Sequence, residues 1–123
     1  MVVPASATKF KTAMDPAEIL DYQIKLKDPA DKLLEDAESI ASYTLTLYPE
    51  AIALGLNIKT GGGYDPTEDG ETITVWFDFD AGVLTDPAFD GNGATLAMEL
   101  TVITDNVPAR KRQRTLTLGV LQL

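Results

Sequence analysis

The sequence predicts an all-β domain, an antiparallel β-sandwich of the immunoglobulin-like kind with about seven short strands behind an extended N-terminal arm. Three observations carry this. Apolar residues recur at every second position in one segment after another. Clusters of Asp, Pro, Gly and Asn separate those segments as turns. No long stretch repeats with the 3.6-residue period of a helix. The 123 residues suit one domain, divided into an arm over 1–14 and a sandwich over 15–123.

The arm, MVVPASATKFKTAM, has no clean periodicity, and Lys9 and Lys11 flank Phe10. Two readings of it stand: a frayed terminus, or an extended arm whose Val2, Val3 and Phe10 pack on a neighbouring subunit. Asp15-Pro16-Ala17-Glu18 has the residues of a reciprocal capping turn. Leu20, Tyr22, Ile24 and Leu26 then alternate with polar residues as a strand. Asp28-Pro29-Ala30-Asp31 turns the chain, and Lys32–Glu38 is read as a short helical turn. The strand Ile40–Leu47 puts Tyr43, Leu45 and Leu47 on one face. Ile40 is out of phase, and a bulge near Ser42 brings it back.

Tyr48-Pro49-Glu50-Ala51 reads as a corner, followed by a short strand through Leu54, Leu56 and Ile58. Gly61-Gly62-Gly63 breaks the order. Thr72–Asp80 is the clearest strand, with Ile73, Val75, Phe77 and Phe79 on one face and Trp76 on the other. Residues 81–93 form a long irregular connection. Two strands close the chain, through Leu96, Met98, Leu100 and Val102 and then through Leu116, Leu118 and Val120, joined by Thr104–Ala109.

Composition narrows the chemistry. There is no Cys and no His. Thiolate nucleophiles, disulfides and zinc–thiolate sites are therefore excluded, and so is the side chain best suited to proton transfer near neutral pH. No G-x-S-x-G, phosphate loop or H-E-x-x-H is present. The expectation is a protein that is not an enzyme and needs no cofactor. No apolar run is long enough to span a bilayer, and the N-terminus does not read as a signal peptide. The net charge of -9 argues against nucleic-acid binding by the whole surface.

Four features compete as functional sites. Asp78 and Asp80 lie two apart on a strand, which is more in keeping with surface charge than with a catalytic pair. Eight acids fall between Asp65 and Asp90, enough oxygens for calcium but without the spacing of an EF-hand loop. Trp76 sits on the polar face of its strand. It is either covered by the 81–93 loop or offered to a partner, a carbohydrate among the candidates. The fourth is Arg110-Lys111-Arg112-Gln113-Arg114, with four of the ten basic residues in five positions. It reads as solvated charge, as a docking patch for an acidic surface, or less readily as a nucleic-acid contact, since no aromatics interleave it. Leu121 and Leu123 are out of phase with Leu116, Leu118 and Val120, and so are partner-contact candidates beside Phe10, Trp76 and the basic cluster.

Several segments together resemble the small virion proteins of tailed bacteriophages known as fibre–tail adaptor or neck proteins. The matching pieces are Asp15-Pro16-Ala17-Glu18-Ile19-Leu20-Asp21-Tyr22-Gln23-Ile24, Asp36-Ala37-Glu38-Ser39-Ile40-Ala41-Ser42, Gly55-Leu56-Asn57-Ile58, Thr72-Ile73-Thr74-Val75-Trp76-Phe77, and Arg110 and Arg114 before Thr115-Leu116-Thr117-Leu118. Ala109 stands where that pattern has a turn glycine, and the 81–93 connection is longer. The resemblance covers most of the chain. It implies an immunoglobulin-like sandwich at the head–tail junction, in the virion and after assembly in the host cytoplasm. Its partners would be other phage structural proteins, a head–tail adaptor or portal-side ring and a tail fibre, with several copies around the tail axis and no catalytic residues. A capsid decoration protein is the nearest alternative. A carbohydrate- or calcium-binding module is the alternative from another class.

Overall fold

A computed structural model describes residues 3–123. Along the chain run β1 (Thr8–Lys9), β2 (Leu20–Lys25), β3 (Ile40–Leu47), a one-turn helix α1 (Pro49–Ala53), β4 (Leu56–Ile58), β5 (Thr67–Glu68), β6 (Thr72–Phe79), β7 (Ala94–Thr104) and β8 (Lys111–Val120). They form two sheets of four strands. One has the order β1-β8-β7-β3; the other has β6 between β2 on one side and β4 and β5 on the other.

Alternation decides which side chains meet between the sheets. Along β6, Ile73, Val75, Phe77 and Phe79 are buried, while Thr72, Thr74, Trp76 and Asp78 are only half so. Opposite them, Leu96, Met98, Leu100 and Val102 of β7 and Leu116, Leu118 and Val120 of β8 are buried. Each such side chain contributes about 1.5–3 kcal/mol of transfer free energy. The two layers share one apolar cluster, so the fold is an all-β sandwich.

β3 and β7 pair antiparallel, with a register shift between Ile40 and Ser42, where the phase of the apolar residues requires a bulge. Ile40 is buried as a result. The Asp15 turn also forms as its residues dictate. The Asp15 amide donates to Glu18 Oε1 at 2.8 Å, and Ala17 N donates to Asp15 Oδ1 at 2.8 Å, but no helix follows.

Four features depart from the sequence reading. Lys32–Glu38 makes turns and no helix; Leu33 and Leu34 are needed as a plug over the end of the core, where both are buried. The corner at Tyr48 is a full helical turn, started by Pro49 at its first position, which buries Ala51. The 81–93 connection holds two short 3₁₀ turns that sink Phe89 completely, edge-to-face with Phe79 at 5.4 Å. The arm is extended, but it lies in its own sheet. Thr8 and Lys9 pair in parallel with Leu116 and Thr117. Phe10 N donates to Thr117 O and Met14 N to Gly119 O, both at 2.9 Å. Met14 is fully buried. Val2 lies outside the described residues.

One glycine is fixed by close packing. Gly93 has φ +72°, and a Cβ there would stand 2.1 Å from the Val120 carbonyl oxygen. Only a residue without a side chain lets the chain enter β7 so close to the end of β8.

Candidate docking face at one end of the sandwich

Arg112 and Arg114 have the same parity on β8 as the buried Leu116, Leu118 and Val120. Alternation therefore turns them toward the interior, at the end where the core runs out. Guanidinium groups placed there need partners. The connection between β2 and β3 supplies them. It climbs as β8 descends, so the acids and arginines meet in reverse order. Asp31 Oδ1 accepts from Arg114 Nη1. Glu35 Oε1 lies 3.8 Å from Arg112 Nη2, and Glu38 Oε1 lies 3.9 Å from it. Glu38 Oε2 lies 3.9 Å from Arg110 Nη1.

Glu38 is the buried member of this ladder, 2% exposed. Its Oε1 accepts the Glu35 amide at 2.8 Å, while Oε2 has no hydrogen bond. Two arginines at ion-pair distance supply the compensation that a buried carboxylate requires. Arg114 also donates to Thr8 Oγ1 at 3.2 Å, and Thr8 donates to Asp31 Oδ2. One guanidinium thus ties together β8, the arm and the β2–β3 connection.

Two positions of the basic run face out. The Arg110 side chain is 57% exposed, and Lys111 is exposed. They sit at the foot of the β7–β8 connection. That connection is braced at its base: Thr104 N donates to Arg110 O, and Arg110 N to Thr104 Oγ1, both at 2.9 Å. Asp105 and Ser39 exchange further bonds. The tip beyond this brace is open, with Val107 99% exposed and Pro108 and Ala109 exposed beside it. A projecting apolar tip beside two outward cations is the strongest candidate contact in the molecule. Sequence reasoning passed over Val107 as part of a turn. Its signal was an apolar residue in a turn, where core packing gives it no use.

The other predicted contact residues are scattered. Phe10 turns into the domain: its ring lies 4.9 Å from Tyr22 and 6.2 Å from Phe77. With Arg114 it lines a groove of about 620 Å³ between the arm and β2, floored by Leu100 and Leu116. Trp76 is on the other sheet's outer face, half-buried under Tyr64, whose ring meets it edge-on at 5.2 Å. Its cover therefore comes from the segment after the glycine run and not from 81–93. Lys59 Nζ sits 4.8 Å over Tyr64 and 3.5 Å from Asp78. Leu121 is half-buried beside the arm, with its amide on Met14 O; Leu123 is 79% exposed.

Four of the acids between Asp65 and Asp90 serve local turns, while Asp78 pairs with Lys59 and Asp80 accepts from Asn57. Asp65 accepts the Gly61 amide, Glu68 that of Gly70 and Asp86 that of Ala88. Asp69 accepts the Glu71 and Thr72 amides, and these bonds hold its carboxyl below the usual carboxylate range, Thr72 contributing most. Among the described residues no three acids converge as a metal cluster. Nor is any helix among them long and apolar enough to cross a membrane. No protein-family model matches the chain, and no curated protein matches it.

Proposed function

We propose that this chain is a structural virion protein of a tailed phage. It joins the head–tail neck or tail adaptor to tail fibres through the β7–β8 tip, and it performs no catalysis. The same proposal includes the immunoglobulin-like identity of the sandwich, the virion location and several copies around the tail axis. The observation that carries it is the tip itself. Val107 is fully exposed, next to Arg110 and Lys111, in a chain of net charge -9. An apolar anchor with cations at its rim suits docking on an acidic protein surface, the apolar group giving affinity and the charges setting register. The resemblance of the strand motifs to neck proteins supports the choice of partner.

Substitution separates docking from folding here. Arg114 is committed to Asp31 and Thr8, so reversing its charge disturbs the domain itself. Val107→Asp with Lys111→Glu changes only outward groups and leaves Arg110 beside the buried Glu38. That double variant is expected to fold and melt like the parent and yet to be left out of assembled particles, as read by complementation of a deletion phage. Normal incorporation of the folded variant would overturn the docking role.

A further inference from the structure

The sandwich has exposed strand edges, and all but one are blunted. β1, β4 and β5 are two or three residues long. β2 carries Asp21 and Lys25. Such shortness and charge are the usual protections against strand addition. β3 differs. It is eight residues, IASYTLTL, with no charge and no proline, and among the described residues it pairs only with β7. Its one irregularity, the shift between Ile40 and Ser42, is at its start. There the Ile40 amide donates to Gly70 O, which closes that end. Tyr43–Leu47 is left straight and open.

The hydrogen-bond phase of this edge is set by Tyr48, whose amide donates to Ala97 O at 3.0 Å. In an antiparallel ladder the bonded pairs alternate. Thr46 and Thr44 therefore bond to β7, and the N–H and C=O groups of Tyr43, Leu45 and Leu47 point outward. The side chains of those three residues face inward and are only half-buried, although they pack against the core.

We infer that β3 is a self-association edge and that its occupant is the β3 of a second copy, antiparallel across a two-fold axis at Leu45. In that register Tyr43 meets Leu47 of the copy, Leu45 meets Leu45, and about six backbone hydrogen bonds form. On the outer face Thr44 meets Thr46, a favourable cross-strand pair. Every pair is neutral, which matters for a chain of net charge -9 approaching itself. No other long strand matches this: β2, β6, β7 and β8 all carry charges. The contact would also cover Tyr43, Leu45 and Leu47. A two-fold joint of this kind is isologous and closes at the dimer. The inference does not rest on the virion reading.

Sedimentation equilibrium of the purified full chain tests it, together with amide exchange at several concentrations. The expected result is a dimer, with the Tyr43, Leu45 and Leu47 amides gaining protection as concentration rises while those of Asp21, Gln23 and Lys25 on the β2 edge do not. Thr44→Lys with Thr46→Lys, on the outer face, should give a folded monomer whose melting temperature, unlike the parent's, does not rise with concentration. Should that variant fold poorly, the exchange pattern of the parent decides alone. A parent that stays monomeric at millimolar concentration, or a dimer whose added protection falls elsewhere, would overturn the inference.

Discussion

A single residue, Asp15, ties the end of the arm to the C-terminal residue. Asp15 Oδ1 accepts the Ala17 amide, and its Oδ2 accepts the amide of Leu123, 108 positions away, at 2.8 Å. These two bonds, the Leu123 bond first, hold its carboxyl below the usual carboxylate range. A carboxyl whose folded pKa is depressed stabilises the fold above its unfolded value and loses that contribution as pH falls through the folded value. Asp15→Asn keeps the shape and an acceptor but removes the charge. The parent should therefore melt above the variant at neutral pH, and the gap should close as pH drops below about 4. Melting scans across that range check this, and a gap independent of pH would show that the charge contributes nothing. Nothing in the local sequence announced the Leu123 partner, because a contact between residues at opposite ends of the chain has no short-range signature. The turn at Asp15–Glu18, whose partners are three residues apart, was legible at once.

Among the elements, the long strands were legible, and so was the short β4, although it begins at Leu56 and not at Leu54; β1 and β5 were not. β2, β3, β6, β7 and β8 each bury one face, so their apolar residues repeat with period two. β1 and β5 have two residues each, too few to show a period. β1 is held by parallel pairing to β8 and by the bonds among Thr8, Asp31 and Arg114. Those last bonds also explain why the basic run looked freer in sequence than it is. Its acidic partners lie about 80 residues upstream, at Asp31, Glu35 and Glu38. Only the topology brings the two together. Arg114→Ala should cost about 1–2 kcal/mol, the range for a partly exposed charged hydrogen bond. It should also loosen the arm, so that the Phe10 amide exchanges faster while that of Met14, whose side chain is fully buried, stays protected. Equal protection of Phe10 in parent and variant would mean that strand pairing alone holds β1.

At the scale of the whole molecule, the described residues bring no three acids together as a metal cluster, and the proposed contacts fall at a tip and at a strand edge. The acids that suggested a metal site are spread over separate turns and strand β6. The aromatic that suggested a binding platform is packed under Tyr64. Two surfaces remain whose chemistry suits protein contact: the tip at Val107 with Arg110 and Lys111, and the uncharged edge of β3. Both belong to one sheet, where the base of the tip is bonded to the residue before β3 through Asp105 and Ser39. The most direct test is cross-linking mass spectrometry on intact phage particles, read at Lys111. Lys111 is expected to link to neck, tail-adaptor or fibre proteins. Links confined to capsid shell proteins, or absence of the chain from purified particles, would contradict it.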